Sequence, residues 1–204
     1  MRIAALLALP ALLLAESEAP NPPTQFEQAR NLYYKAIEGD KKAYRSAQTL
    51  FSQMYCEEPM TPIVQVYYGS LRLLEASNTW ALWNKNRLSR EGIVLMDRAV
   101  AAQPASLEIR FVRAVTTYHL PGFFHRKQQS KQDFAYLARA AAQAARTGAL
   151  EPRLAAASLY FHGELLHDAG QDELARASWR NAIAAAPSSP AAQGAREALE
   201  KLQR

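Results

Sequence analysis

The sequence predicts an all-α fold on three observations. Apolar residues recur at three- and four-residue steps along most of the chain. Alanine, the best helix former, dominates the C-terminal half. Runs of β-branched residues are nearly absent, and the nearest, Ile63-Val64-Gln65-Val66, sits inside a helical pattern. With 204 residues, 49% of them hydrophobic, the chain has enough apolar surface for one continuous core and is not of disordered composition.

The first segment reads differently from the rest. MRIAALLALPALLLAESEAP places Arg2 before an apolar run at residues 3–14, followed by small residues. This is the layout of a secretory signal peptide. The run is too short to span a bilayer comfortably, which takes about 20 residues. Residues 1–15 are therefore expected to be removed after Ala15, and the expected address is periplasmic or secreted. No cysteine follows the run to take a lipid. Residues 16–23 form a Pro-rich leader in which the prolines block a helix.

Residues 24–204 are expected to form the folded domain. Helices are predicted at 24–38, 40–57, 61–77, 86–102, 106–119, 127–147, 152–169, 171–186 and 189–203. Residues 78–86, which include Trp80 and Trp83, read as an inserted loop, and residues 119–126 as a smaller one. The two tryptophans are expected to fold back against the core, and Phe123-Phe124 to plug a gap between helices.

The stretch GELLHDAGQDELARASWRNAIAAAP carries the architecture. Gly163 is a small site on one helix and Ala175 on the next, where the two are expected to meet. Gly170 ends the first helix, Trp179 fills the space beside Ala175, Ala182 admits the following helix, and Pro187 stops the second. This spacing resembles the tetratricopeptide repeat, a helix-turn-helix unit of about 34 residues. The resemblance is good over residues 156–189. Weaker copies run through Ala47, Phe51, Met54 and Pro59 with Gly69 following, and through Gly92, Met96, Ala99 and Pro104 with Ala114 following. Ser130, Phe134 and Leu137 give a third. The segments YYGSLRLLEA, DRAVAAQP and EIRFVRAVTTYHLPGFFHRK are also similar to exported bacterial proteins of this class.

The resemblance implies antiparallel helix pairs stacked as a short α-solenoid, whose first helices line a groove that binds protein segments. Groove candidates are Glu108, Phe111, Val115 and Tyr118 on one first helix, and Tyr160, Glu164 and His167 on the last one. They recur at helical steps away from the glycine and alanine sites.

Motifs for chemistry are weak by comparison. The lone Cys56 excludes an intramolecular disulfide and a cysteine-based metal framework. His162 and His167 are five residues apart and do not share a helical face as a zinc pair would. No nucleophile elbow or phosphate loop is present. The formal charge of +5 is spread along the chain, without the interleaved basic and aromatic face of a nucleic-acid binder. The reading is a non-enzymatic adaptor with a protein or peptide partner, no cofactor, no nucleic acid and no membrane span after signal cleavage. The alternative is a ligand-binding or enzymatic accessory module that uses the loops at 78–86 and 119–126.

Overall fold

The computed structural model describes residues 24–37, 39–147 and 150–202. The expected signal peptide at 1–15 and leader at 16–23 lie outside the described residues. Among the described residues there are nine α-helices and no strand. They are α1 (Gln25–Ile37), α2 (Lys41–Glu57), α3 (Pro62–Asn78), α4 (Leu82–Ala102), α5 (Leu107–Tyr118), α6 (Lys127–Thr147), α7 (Pro152–Asp168), α8 (Asp172–Ala185) and α9 (Pro190–Lys201), with a 3-10 turn at Gly122–Phe124.

Local chemistry fixes the helix ends. The Asp40 side chain accepts hydrogen bonds from the Lys42 and Ala43 backbone N–H groups at 2.8 and 2.9 Å and so opens α2. Ser106 and Ser189 cap α5 and α9 in the same way. Prolines sit in the first turns of α3, α7 and α9, where a missing N–H costs nothing. At the end of α7, Gly170 takes a φ of +73°. Its N–H bonds to the His167 carbonyl at 2.8 Å, and the Gln171 N–H bonds to the Leu166 carbonyl at 2.8 Å. This is the left-handed glycine stop expected from the sequence.

Adjacent helices pack as pairs, most extensively α3 with α4 and α7 with α8. In the first pair two glycines face each other. A Cβ on Gly69 would stand 2.7 Å from the Gly92 carbonyl oxygen, and one on Gly92 would run into Gly69 and Leu73. In the second pair the nearest atoms over Gly163 belong to the Trp179 indole. Gly163 thus seats the Trp179 ring at this crossing, and Ala175 is buried in the same core cluster as Trp179. The weaker repeat positions Ala47, Phe51, Met96, Ala99, Ala114, Ser130, Phe134 and Leu137 are all buried.

Polar cross-ties join the helices of the first two thirds of the chain. Asp133 on α6 is 1% exposed and accepts from Arg110 and Arg113 of α5, the shortest contact being 2.7 Å. Arg113 also reaches Asp97 of α4, which accepts from Arg126 as well. Burying the Asp133 charge is tolerable because it meets two guanidinium groups. The Tyr33 hydroxyl pairs with Ser70, which pairs with Thr116, both at 2.8 Å.

Three expectations fail at the turns. Residues 78–86 are not an inserted loop: the turn is confined to residues 79–81, and α4 begins at Leu82. No proline or glycine interrupts residues 82–91, so the extra residues lengthen the helix instead. Trp80 and Trp83 do not fold back on the core and are 87% and 71% exposed. Their indoles rest edge-on against each other, with centroids 6.2 Å apart. Phe123 is no plug either. It is 70% exposed and leans on the half-buried Phe124. Residues 119–126 do form the longer connection expected there.

Candidate functional site

A cleft of about 670 Å³ opens between α1, α5, α7 and the start of α9. Helix periodicity explains its lining. Phe111 and Val115 lie one turn apart on α5. Leu154, Ala157 and Phe161 follow a single face of α7. Helix α1 adds Asn31, Tyr34, Lys35 and Ile37, and α9 adds Pro190 and Ala191 after its cap Ser189. Tyr160 completes the lining on α7. A Cβ on Gly194 would lie 3.1 Å from the Tyr160 ring, so the bare glycine leaves room for the phenol to lie against α9.

A hydrogen-bonded relay anchors one side of the cleft. Tyr67 donates to the Glu108 carboxylate at 2.5 Å. With its only proton committed, the Tyr67 oxygen must accept from Tyr34, 2.8 Å away. Arg30 stands 3.5 Å from Glu108 and neutralises it. Burial raises the Tyr34 phenol far above its ordinary range, so the cleft wall carries a neutral hydroxyl at all ordinary pH values. Lys35, Arg153 and Glu151 supply the charges of the lining.

The sequence-derived candidates divide. Phe111, Val115 and Tyr160 come together in the cleft. Glu108 sits behind it in the relay. Tyr118 packs among His119, Phe134 and Phe161, with the Lys127 ammonium 5.7 Å from its ring centroid. Glu164 and His167 lie near Trp179 instead. Burial and the nearby Asp168 raise the Glu164 carboxyl above its ordinary value, against the opposing pull of His167, Lys201 and the Trp179 indole. His167 bonds to Asp172 at 2.7 Å. Sequence reasoning missed most of the cleft lining, including Asn31, Tyr34 and Lys35 of α1 and Leu154, Ala157 and Phe161 of α7, which belong to faces it did not trace. Stepping three and four residues along α1, as was done for α5, would have found Asn31, Tyr34 and Lys35.

Two smaller clefts lie elsewhere among the described residues. One of about 460 Å³ lies between α2, α3 and α4, lined by Tyr55, Tyr68, Arg72, Arg90 and Arg98 among others. The other, about 370 Å³, joins the C-terminal ends of α1, α3 and α5. His162 faces Ser178 at 3.3 Å, and burial lowers its pKa. Among the described residues no group of three or more His, Cys, Asp or Glu side chains is placed to hold a metal ion. Nor is any described helix long and apolar enough to cross a membrane.

No known protein family, curated protein or solved structure matches the chain.

Proposed function

We propose that the protein is a non-enzymatic adaptor of tetratricopeptide-like architecture, exported by its N-terminal segment, which holds a segment of another protein in the cleft between α1, α5, α7 and α9. The observation that carries this reading is the composition of that cleft. Alternate helices of the chain contribute to one concavity, and its lining is mostly apolar and aromatic with a few polar groups. Such surfaces bind by burying one or two large anchors while polar groups set the register. Phe111, Phe161 and Tyr160 are the natural contacts for an apolar anchor. Lys35 and Arg153 fit an acidic group flanking it.

Capture from an extract of the native host's cell envelope, read by mass spectrometry, tests the reading. Ala157→Trp fills the cleft from within its lining. It is expected to weaken capture at least roughly tenfold, equivalent to about 1.4 kcal/mol, with helicity unchanged. The pair Glu164→Ala with His167→Ala lies outside the cleft and should capture normally. Undiminished capture by Ala157→Trp, with loss in the second variant, would move the binding surface to the α7–α8 end. A second reading has one observation in its favour: about 670 Å³ is the size of a small-molecule site. Native mass spectrometry of the purified protein separates the two, because a retained small ligand adds a discrete mass.

A further inference from the structure

We propose that the α3–α4 turn is a lipid-docking edge, at which Trp80, Leu82 and Trp83 enter the interface of an anionic phospholipid surface. All three side chains are more than two-thirds exposed, Trp80 at 87%, Leu82 at 77% and Trp83 at 71%. They are consecutive large apolar groups at a chain reversal, and the two indoles touch each other rather than the core. Neither tryptophan lines any of the three clefts, so the cleft reading does not account for them.

The setting extends this edge beyond one turn. Ile37, Ser77, His119 and Leu120 share the cleft at the C-terminal ends of α1, α3 and α5, which places the turns after those helices side by side. Phe123 on the α5–α6 connection and Ile37 at the end of α1 are exposed there as well.

Charge selects the occupant. Between residues 78 and 90 there is no acidic residue, while Lys85, Arg87 and Arg90 are all exposed. The neighbouring turns add exposed Lys41, Lys42 and Lys127. Of the described acids flanking these turns in sequence, Asp40 caps α2, Glu75 pairs with Arg72, and Glu91 pairs with Arg72 and Arg87. Indole rings at a tip with cations behind them match a membrane interface, where tryptophan prefers the headgroup level and lysine and arginine meet anionic headgroups. The shape agrees. A protruding tip needs a partner that yields around it, and lipid yields without a preformed pocket.

The full chain supplies its own probe. Trp179 is 1% exposed, so changes in tryptophan emission on binding report on Trp80 and Trp83. Vesicles of phosphatidylcholine with about one-third phosphatidylglycerol should shift the emission to the blue, and bromine-labelled acyl chains should quench it. Vesicles of phosphatidylcholine alone, or high salt, should reduce partitioning roughly tenfold. In co-sedimentation, Trp80→Ser with Trp83→Ser should bind roughly tenfold less with helicity intact, and Leu82→Ser should bind less while keeping both reporters. Three results would overturn the proposal. One is no association with anionic vesicles. Another is association without a blue shift or quenching, which would assign binding to the apolar run at residues 3–14. The last is a blue shift that grows with protein concentration in the absence of lipid, which would mean that a second copy covers the edge.

Discussion

The helices α1–α6 and the helices α7–α9 solve the same packing problem with different chemistry. In the first region, long polar and aromatic side chains tie each helix to the next or the next but one. Tyr33 reaches Ser70, Tyr67 reaches Glu108, and Asp133 gathers Arg110 and Arg113. In the second, buried side chains are mostly small, Ala155, Ala156, Ala175, Ala182, Ala192 and Ala195 among them, and one glycine, Gly163, lies against the Trp179 indole. The glycine crossings show the same contrast. Gly69 and Gly92 bring backbone against backbone, whereas Gly163 admits a side chain. A small residue at a helix crossing thus marks close approach without saying what approaches.

The contrast yields a ranked set of tests. Asp133→Ala should have the largest effect, because it leaves Arg110 without a carboxylate and Arg113 with Asp97 alone. A loss of about 3–5 kcal/mol is expected in denaturant unfolding. A loss below about 1 kcal/mol would mean that Asp97 and solvent, not Asp133, satisfy Arg113. Next comes Gly92→Val. The obstructing atoms are the Gly69 backbone as well as the Leu73 side chain, and backbone cannot step aside. About 2–3 kcal/mol should be lost, or roughly 5–10 °C in the thermal midpoint. Gly163→Leu should cost less, about 1–2 kcal/mol, because the Trp179 indole can rotate away. Its fluorescence should shift to the red as it does so. Equal losses at the two glycines would erase the distinction between the crossings.

The smallest effect concerns pH and Glu164. Burial first, and Asp168 second, hold its folded pKa above the ordinary 4.5. The folded protein therefore keeps this proton more readily than the unfolded chain. Stability contributed by the group is present at low pH and is lost as the pH climbs from 4.5 through the raised value. Glu164→Gln should match wild type near the acid end of a thermal-shift series and exceed it slightly at neutral pH. The reverse order would contradict the burial argument.

The same contrast explains what the sequence made legible. Helix ends were readable because their signals are local: Asp40, Ser106 and Gly170 act on residues beside them. The α7–α8 pair was readable because its small residues and Trp179 fall within one stretch of chain. The extended α4 was misread because a spacing longer than a repeat unit suggested a loop. A helix absorbs extra residues as readily when nothing breaks it. The cleft was half legible. Phe111, Val115 and Tyr160 follow from helical steps, but the contribution of α1 depends on a contact between residues far apart in sequence, set by the Tyr34–Tyr67–Glu108 relay. The exposure of Trp80 and Trp83 was not legible, since apolar side chains at a turn are usually drawn back over a core.

The central claim is that the cleft between α1, α5, α7 and α9 holds a partner segment. Site-specific photo-crosslinking measures it most directly, with a photoreactive phenylalanine analogue placed in the cleft at Tyr160 or on α4 at Val94, which lines the smaller cleft between α2, α3 and α4. In extract from the native host, position 160 should yield a discrete protein adduct whose crosslinked peptide carries an apolar anchor beside acidic residues, and position 94 should yield none. Adducts at position 94 with none at position 160 would contradict the account.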